Sequence, residues 1–177
     1  MKWIKPVIIG LSGLIAVLLG ISALMPSQVM TSRWVRVYGG TEAPLQAVRD
    51  LNSWASWNLL LEGAKDVRVQ PVADTGAGGS IAWTDARGGR NRIAVTGQAP
   101  NGIALDITLG DNRSFVSGFS IEQRVADSTQ VVWYIMEELR WYPWEKFYGM
   151  MAEDIKAPLM QESLDRFKQQ LATRQNP

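Results

Sequence analysis

Gly102-Ile103-Ala104-Leu105-Asp106-Ile107-Thr108-Leu109 is the stretch on which the fold turns. Ile103, Leu105, Ile107 and Leu109 fall on one side of an extended chain, and Asp106 and Thr108 on the other, because strand side chains alternate. A strand of this kind belongs to a sheet with one wet face and one face that must be covered. Pro100-Asn101-Gly102 precedes it and Gly110-Asp111-Asn112 follows it. Asn-Gly and Gly-Gly pairs between short alternating runs tolerate the positive φ of tight hairpins. The same grammar repeats in both directions. Upstream stand Val67 to Val72, Ser80 to Thr84 and Asn91 to Gln98, separated by Asp74 to Gly79 and by Arg87-Gly88-Gly89-Arg90. Downstream, Phe115, Phe119 and Ile121 oppose Ser120, Glu122 and Arg124; Ala126-Asp127-Ser128 then turns the chain into Thr129 to Glu137. Consecutive hairpins predict an antiparallel meander.

Helical signals flank the meander. Arg33 to Tyr38 alternates and reads as a first strand, and Gly39-Gly40 ends it. Thr41-Glu42-Ala43-Pro44 resembles a helix entry, with Leu45, Val48 and Leu51 on one face. Asn52 to Asn58 carries Trp54 and Trp57 in a short helical connection. At the C-terminus Phe147, Met151, Ile155 and Leu159 are spaced by four, and Leu164, Phe167 and Leu171 continue an apolar stripe. Lys146, Glu153, Asp154, Glu162, Asp165 and Lys168 lie mostly off it, so this is an amphipathic helix with one face meant for a sheet. Pro158 lacks an N–H and is expected to kink or restart it.

The N-terminus carries a different signal. No charged residue lies between Lys5 and Arg33, and Pro6 to Met25 is almost continuously apolar. About 20 such residues rise about 30 Å as a helix, enough to cross the hydrocarbon of a bilayer. The amino terminus, Lys2 and Lys5 precede the run and Arg33 and Arg36 follow it, which favours a cytoplasmic N-terminus. A cleaved signal peptide would have a shorter apolar region and a small-residue cleavage pattern, which Ala23-Leu24-Met25-Pro26 matches poorly. Ser12, Ala16 and Gly20 form a small-residue stripe that suits helix pairing, but such residues are common in spans. The organisation predicted is a cytoplasmic tail at 1–5, a transmembrane anchor helix at 6–25, a linker at 26–32, a domain at 33–172 and a tail at 173–177. The protein is then single-pass, with the domain periplasmic or otherwise extracytoplasmic.

Four segments resemble the START-like, birch-allergen-like superfamily, in its polyketide cyclase/dehydrase branch. They are Asp50 to Trp57, with an acidic residue before two tryptophans; Gly76 to Trp83, a glycine-led strand ending in tryptophan; Asp127 to Trp133; and Glu162 to Lys168. The last has Ser163 where glycine is usual and Phe167 where leucine is usual. Arg90-Asn91-Arg92 departs from a glycine-containing stretch of the pattern, and Leu139 to Tyr148 is richer in aromatics than the pattern. The resemblance covers about residues 31 to 172. It implies an α+β helix-grip fold, a curved antiparallel sheet wrapped around the long C-terminal helix, preceded here by one transmembrane helix. It also implies a cavity between sheet and helix for a hydrophobic small molecule or lipid.

By alternation the walls of that cavity would be Ile81, Trp83, Ile93, Val95, Leu105, Phe119 and Trp133, with Met151 and Ile155 from the helix. Core filling is the plainer reading for any one of them. The chain has no histidine and no cysteine, so the commonest general base, the usual zinc ligands and any Ser/His or Cys/His nucleophile are missing. The sequence calls for no metal and no cofactor. Without Lys2 and Lys5 there are 16 basic and 17 acidic residues, a balance that gives no reason to expect nucleic acid. Glu137 and Tyr134 are the only inward acid or base candidates, and a Glu137 reaching solvent or pairing with Arg140 is the plainer expectation. Arg87 to Arg92 reads as a charged turn, or as a phosphate contact. Trp141, Tyr142, Trp144, Phe147 and Tyr148 read as packing beneath the helix, a lid, or a membrane-interface contact. A ligand-free module that docks a protein partner is the alternative function, and a cyclase/dehydrase-type enzyme is a further one; the sequence identifies no partner.

Overall fold

The computed structural model, which describes residues 4–72, 78–110, 113–125 and 127–175, joins the alternating segments into one antiparallel sheet. Its strands are β1 (Gln28–Tyr38), β2 (Lys65–Gln70), β3 (Ser80–Thr84), β4 (Arg90–Ala99), β5 (Gly102–Leu109), β6 (Arg113–Val125) and β7 (Ser128–Glu138). They lie in the order β1-β7-β6-β5-β4-β3-β2, so the meander runs from β2 to β7 and β1 closes beside β7. The helices are α1 (Ile4–Leu24), α2 (Glu42–Arg49) and α3 (Pro143–Gln175), with 3-10 turns at Leu51–Ser56 and Leu59–Leu61. The curved sheet and long C-terminal helix form an α+β architecture of the helix-grip kind.

β5 occupies the residues its alternation predicts. β1 is longer than predicted. Its register runs from Gln28 opposite Glu138 to Tyr38 opposite Ser128. Residues 28–32 therefore belong to the strand rather than to a linker, and only Met25, Pro26 and Ser27 separate it from α1. Backbone pairing with β7 decides this, since the polar Gln28, Thr31 and Ser32 hide the alternation. Residues 73–77, 111–112 and 126 lie outside the described ones, and with them parts of three turns and the start of the Gly76 to Trp83 segment. At the far edge β2 pairs with β3 irregularly, with a register shift between Lys65 and Arg68. Asp66 there takes φ +52°, a left-handed conformation that Asp tolerates better than most residues.

Asp85 organises the arginine-rich turn. Its carboxylate accepts hydrogen bonds from the backbone N–H of Arg87 at 2.8 Å and of Gly89 at 2.9 Å. Those bonds, Gly89's foremost, hold its carboxyl below the usual carboxylate range. Gly88 takes φ +84° at the tip. At the β5–β6 contact, Gly102 faces Ser120 so closely that a Cβ would overlap the Phe119 carbonyl oxygen. A backbone atom cannot swing aside as a side chain would. Gly102→Ala is therefore expected to cost about 1–3 kcal/mol, read as a lower thermal midpoint of the purified chain.

The inner face of the sheet and the second half of α3 make the core. Met160, Leu164, Phe167 and Leu171 of the helix share one buried apolar cluster with Val35, Val37, Ile121 and Val131. Ser163 is buried; its Oγ donates to the Leu159 carbonyl at 2.8 Å and accepts the Leu59 N–H at 3.0 Å, tying helix to turn. Trp54 donates its Nε1–H to the Val48 carbonyl at 2.9 Å. Pro158 does not restart the helix, which continues through it. Pro158 and Asp154 are both exposed, so water can satisfy the carbonyl that proline leaves without a helical partner.

The first half of α3 departs from expectation. The stripe Phe147, Met151 and Ile155 faces outward; Gly149, Ala152 and Ala157 are the residues packed inward, with the buried Lys146 and the largely buried Lys156 on the same side. Close approach explains it: a Cβ on Gly149 would collide with Leu139 and come within 3.3 Å of Val29. At Gly149 itself no larger side chain fits without displacing Leu139.

Candidate functional site

The nine residues predicted to line a cavity separate into two groups. Ile81, Trp83, Ile93, Val95, Leu105, Phe119 and Trp133 share the inner face of the sheet and are 0–4% exposed. A side chain bordering an internal void keeps surface that a water-sized sphere can touch, and these keep almost none. Aromatic rings occupy the adjoining space. Trp133 stacks on Phe119 at 5.3 Å between centroids, Trp54 and Trp57 meet at 5.1 Å, and Trp57 meets Phe167 at 5.0 Å. Met151 and Ile155 are 60% and 54% exposed on the opposite side of α3 and do not join the seven. Their spacing of four is correct for a helix face; the face is the wrong one, for the steric reason at Gly149.

Sheet and helix part at the end where β7 leads into α3. There a cavity of about 280 Å³ opens, lined by Arg113, Ser114, Phe115, Glu137, Glu138, Leu139, Arg140, Glu145 and Tyr148. Alternation along β7 turns Glu137 inward with Trp133 and Ile135, and it is 5% exposed. It forms an ion pair with Lys156 of α3 rather than with Arg140 or solvent. The Lys156 ammonium also lies 4.6 Å from the centre of the Phe115 ring, and Arg113 sits 5.2 Å over Tyr148. Tyr134 is on the outer face of the sheet, where its hydroxyl lies against Gly118, so it takes no part. Two arginines, three glutamates and two aromatic rings, Phe115 and Tyr148, thus border one opening. Its chemistry suits a group carrying both charges.

A second polar cluster joins α1 to the domain. Lys146 is buried, and its Nζ donates to the Pro26 carbonyl at 2.9 Å and to Ser27 Oγ at 2.9 Å. Ser22 Oγ donates to the Trp141 carbonyl at 2.8 Å. Sequence reasoning missed Lys146 and Lys156 because charged residues on an amphipathic helix are ordinarily placed in water. The small residues at 149, 152 and 157, on the same side of the helix as both lysines, are the signal that could have found them.

No family model and no curated protein matches this chain. Solved structures do. A START superfamily protein from Mycobacterium smegmatis superposes with a TM-score of 0.61 at 20% identity, over 82% of this chain and 98% of that one. The Zhui aromatase/cyclase from Streptomyces sp. R1128 gives 0.62 at 14% identity, over 84% and 96%. A Staphylococcus aureus protein of unknown function gives 0.65 at 14% identity, over 85% and 97%.

The fold is START-like.

Identity this low carries architecture and nothing finer. In this START-like domain the space between sheet and helix is thus divided: aromatic packing in the middle and a charged opening at one end. The START-like domain is preceded by α1, whose 21 residues are long and apolar enough to cross a membrane and are almost all exposed.

Proposed function

We propose that this protein is a membrane-anchored START-like binding module whose ligand is an amphiphile, a lipid or lipid-like molecule. The head of the amphiphile sits in the opening lined by Arg113, Glu137, Arg140, Glu145 and Tyr148. The observation that carries this reading is the contrast between that opening and the filled interior. A volume of about 280 Å³ lies just below the usual small-molecule range and suits a head group better than a whole lipid. Charges of both signs around it favour a zwitterionic head over a purely anionic one. The anchor is α1, with the domain outside the cytoplasm, on the exposure and length of that helix and the charge balance around it.

Full-length protein purified in detergent should retain a zwitterionic lipid detectable by native mass spectrometry and solvent extraction. Arg113→Ser and Arg140→Ser together should weaken binding of a short-chain zwitterionic lipid at least about tenfold, the scale of one lost charged contact. A wholly apolar co-purifying molecule, retained unchanged by that variant, would sink the assignment and return the ligand to the interior.

A further inference from the structure

Trp144, Phe147, Met151 and Ile155 are 68%, 43%, 60% and 54% exposed. At 3.6 residues per turn they fall within an arc of about 80°, opposite the packed Gly149, Ala152 and Ala157. Beyond Pro158 the same side of α3 carries Glu162, Asp165 and Gln169. One continuous helix therefore presents an apolar outer face for its first three turns and a polar one afterwards. A helix bathed in water throughout has no use for such a change; a helix whose surroundings change from apolar to aqueous along its length does.

The position of the stripe identifies those surroundings. It begins one turn after Trp141, whose carbonyl accepts the hydrogen bond of Ser22, two residues before the end of α1. Lys146, in the same turns, holds Pro26 and Ser27. If α1 crosses a bilayer, Trp141 and Trp144 start at head-group depth, the level that tryptophan favours.

We propose that the first half of α3 lies in the interfacial layer of the membrane that α1 spans, with Trp144, Phe147, Met151 and Ile155 immersed. The proposal rests on α1 being a span and commits to the bilayer as the occupant of this face, because the face is continuous with the anchor. It also fixes an orientation. The stripe extends about 16 Å along the helix, so immersing all of it lays α3 near the membrane plane. Tyr148 flanks the stripe and borders the charged opening, which brings that opening to the level of the head groups.

The chain contains no cysteine, so single-cysteine variants need no altered background. Phe147→Cys, Met151→Cys, Ile155→Cys, Glu162→Cys, Asp165→Cys and Leu14→Cys would be labelled with an environment-sensitive fluorophore. The full chain would be reconstituted in phosphatidylcholine–phosphatidylglycerol vesicles carrying shallow or deep spin-labelled lipids. The expected result is blue-shifted emission and several-fold quenching by the shallow label at 147, 151 and 155, none at 162 and 165, and quenching by the deep label at 14. Quenching at 14 without quenching on the stripe overturns the docking and leaves the anchor standing. No quenching at 14 overturns the anchor and the docking with it. Burial of the stripe that grows with protein-to-lipid ratio and responds to neither label gives the face to a second copy of the chain, and also overturns the proposal.

Discussion

Trp133→Ala is expected to lower the unfolding free energy by about 3–5 kcal/mol, the range for removing a large buried aromatic ring. Trp133 is fully buried, stacks on Phe119 with an interplanar angle of 18°, and donates its Nε1–H to Ser117 Oγ at 3.0 Å. Ser117 in turn donates to the Tyr134 carbonyl at 2.7 Å. Three contributions are lost together: apolar area, stacking and a buried hydrogen bond. Trp133→Phe keeps most of the ring and the stack, and Ser117 keeps its own acceptor, so about 1 kcal/mol is expected. For a chain of this length the alanine variant should lower the melting midpoint by roughly 6–20 °C, followed by far-ultraviolet circular dichroism in detergent. An alanine variant within about 1 kcal/mol of the parent, below the usual range for such truncations, would mean that the interior has room to spare. In that case the proposed ligand would belong there rather than at the charged opening.

The second large effect is expected at Glu137 and Lys156. Their side chains are 6% and 15% exposed, so removing one partner leaves the other charge largely out of water. Glu137→Leu or Lys156→Met alone should cost about 3–5 kcal/mol, whereas the double substitution should recover much of that loss. Urea unfolding of the four proteins closes a double-mutant cycle. Additive single effects would show that the two groups do not depend on each other. Arg124 and Glu122 provide the contrast: also an ion pair, but 54% and 42% exposed, and expected to contribute under about 1 kcal/mol. The comparison separates burial from mere proximity.

The meander, the approximate bounds of its strands and the inward residues of β3 to β7 were legible because the period of two, once a turn is placed, also fixes which side is wet; the place of β1 beside β7 was not. Leu105 and Trp133 could be placed inside from their neighbours alone. The helix differed. A spacing of four at Phe147, Met151 and Ile155 gives a period, yet the side facing the sheet depends on what the sheet allows near Val29 and Leu139. Hydrophobicity pointed one way and steric room the other. The site was hidden by the same circumstance, since Lys156, the partner of Glu137, stands where a charged residue of a water-facing helix would be exposed. Alternation put Glu137 on the face of Trp133, yet solvent or Arg140 was the plainer expectation for it; its partner lies 19 positions further along the chain and on another element.

The irregular pairing of β2 bears on how copies of this protein coexist. β2 is the outer strand at one end of the sheet. An outer strand that is straight and apolar invites the strand of another copy to continue the ladder. Here Lys65 and Arg68 supply charge, and the shift between them, with Asp66 in a left-handed conformation, breaks the row of backbone donors and acceptors. An incoming strand would find neither a continuous register nor a neutral surface. If α1 holds the protein in a membrane as proposed, its copies are confined to a plane and collide far more often than the same number free in solution, and the broken edge would then guard against aggregation.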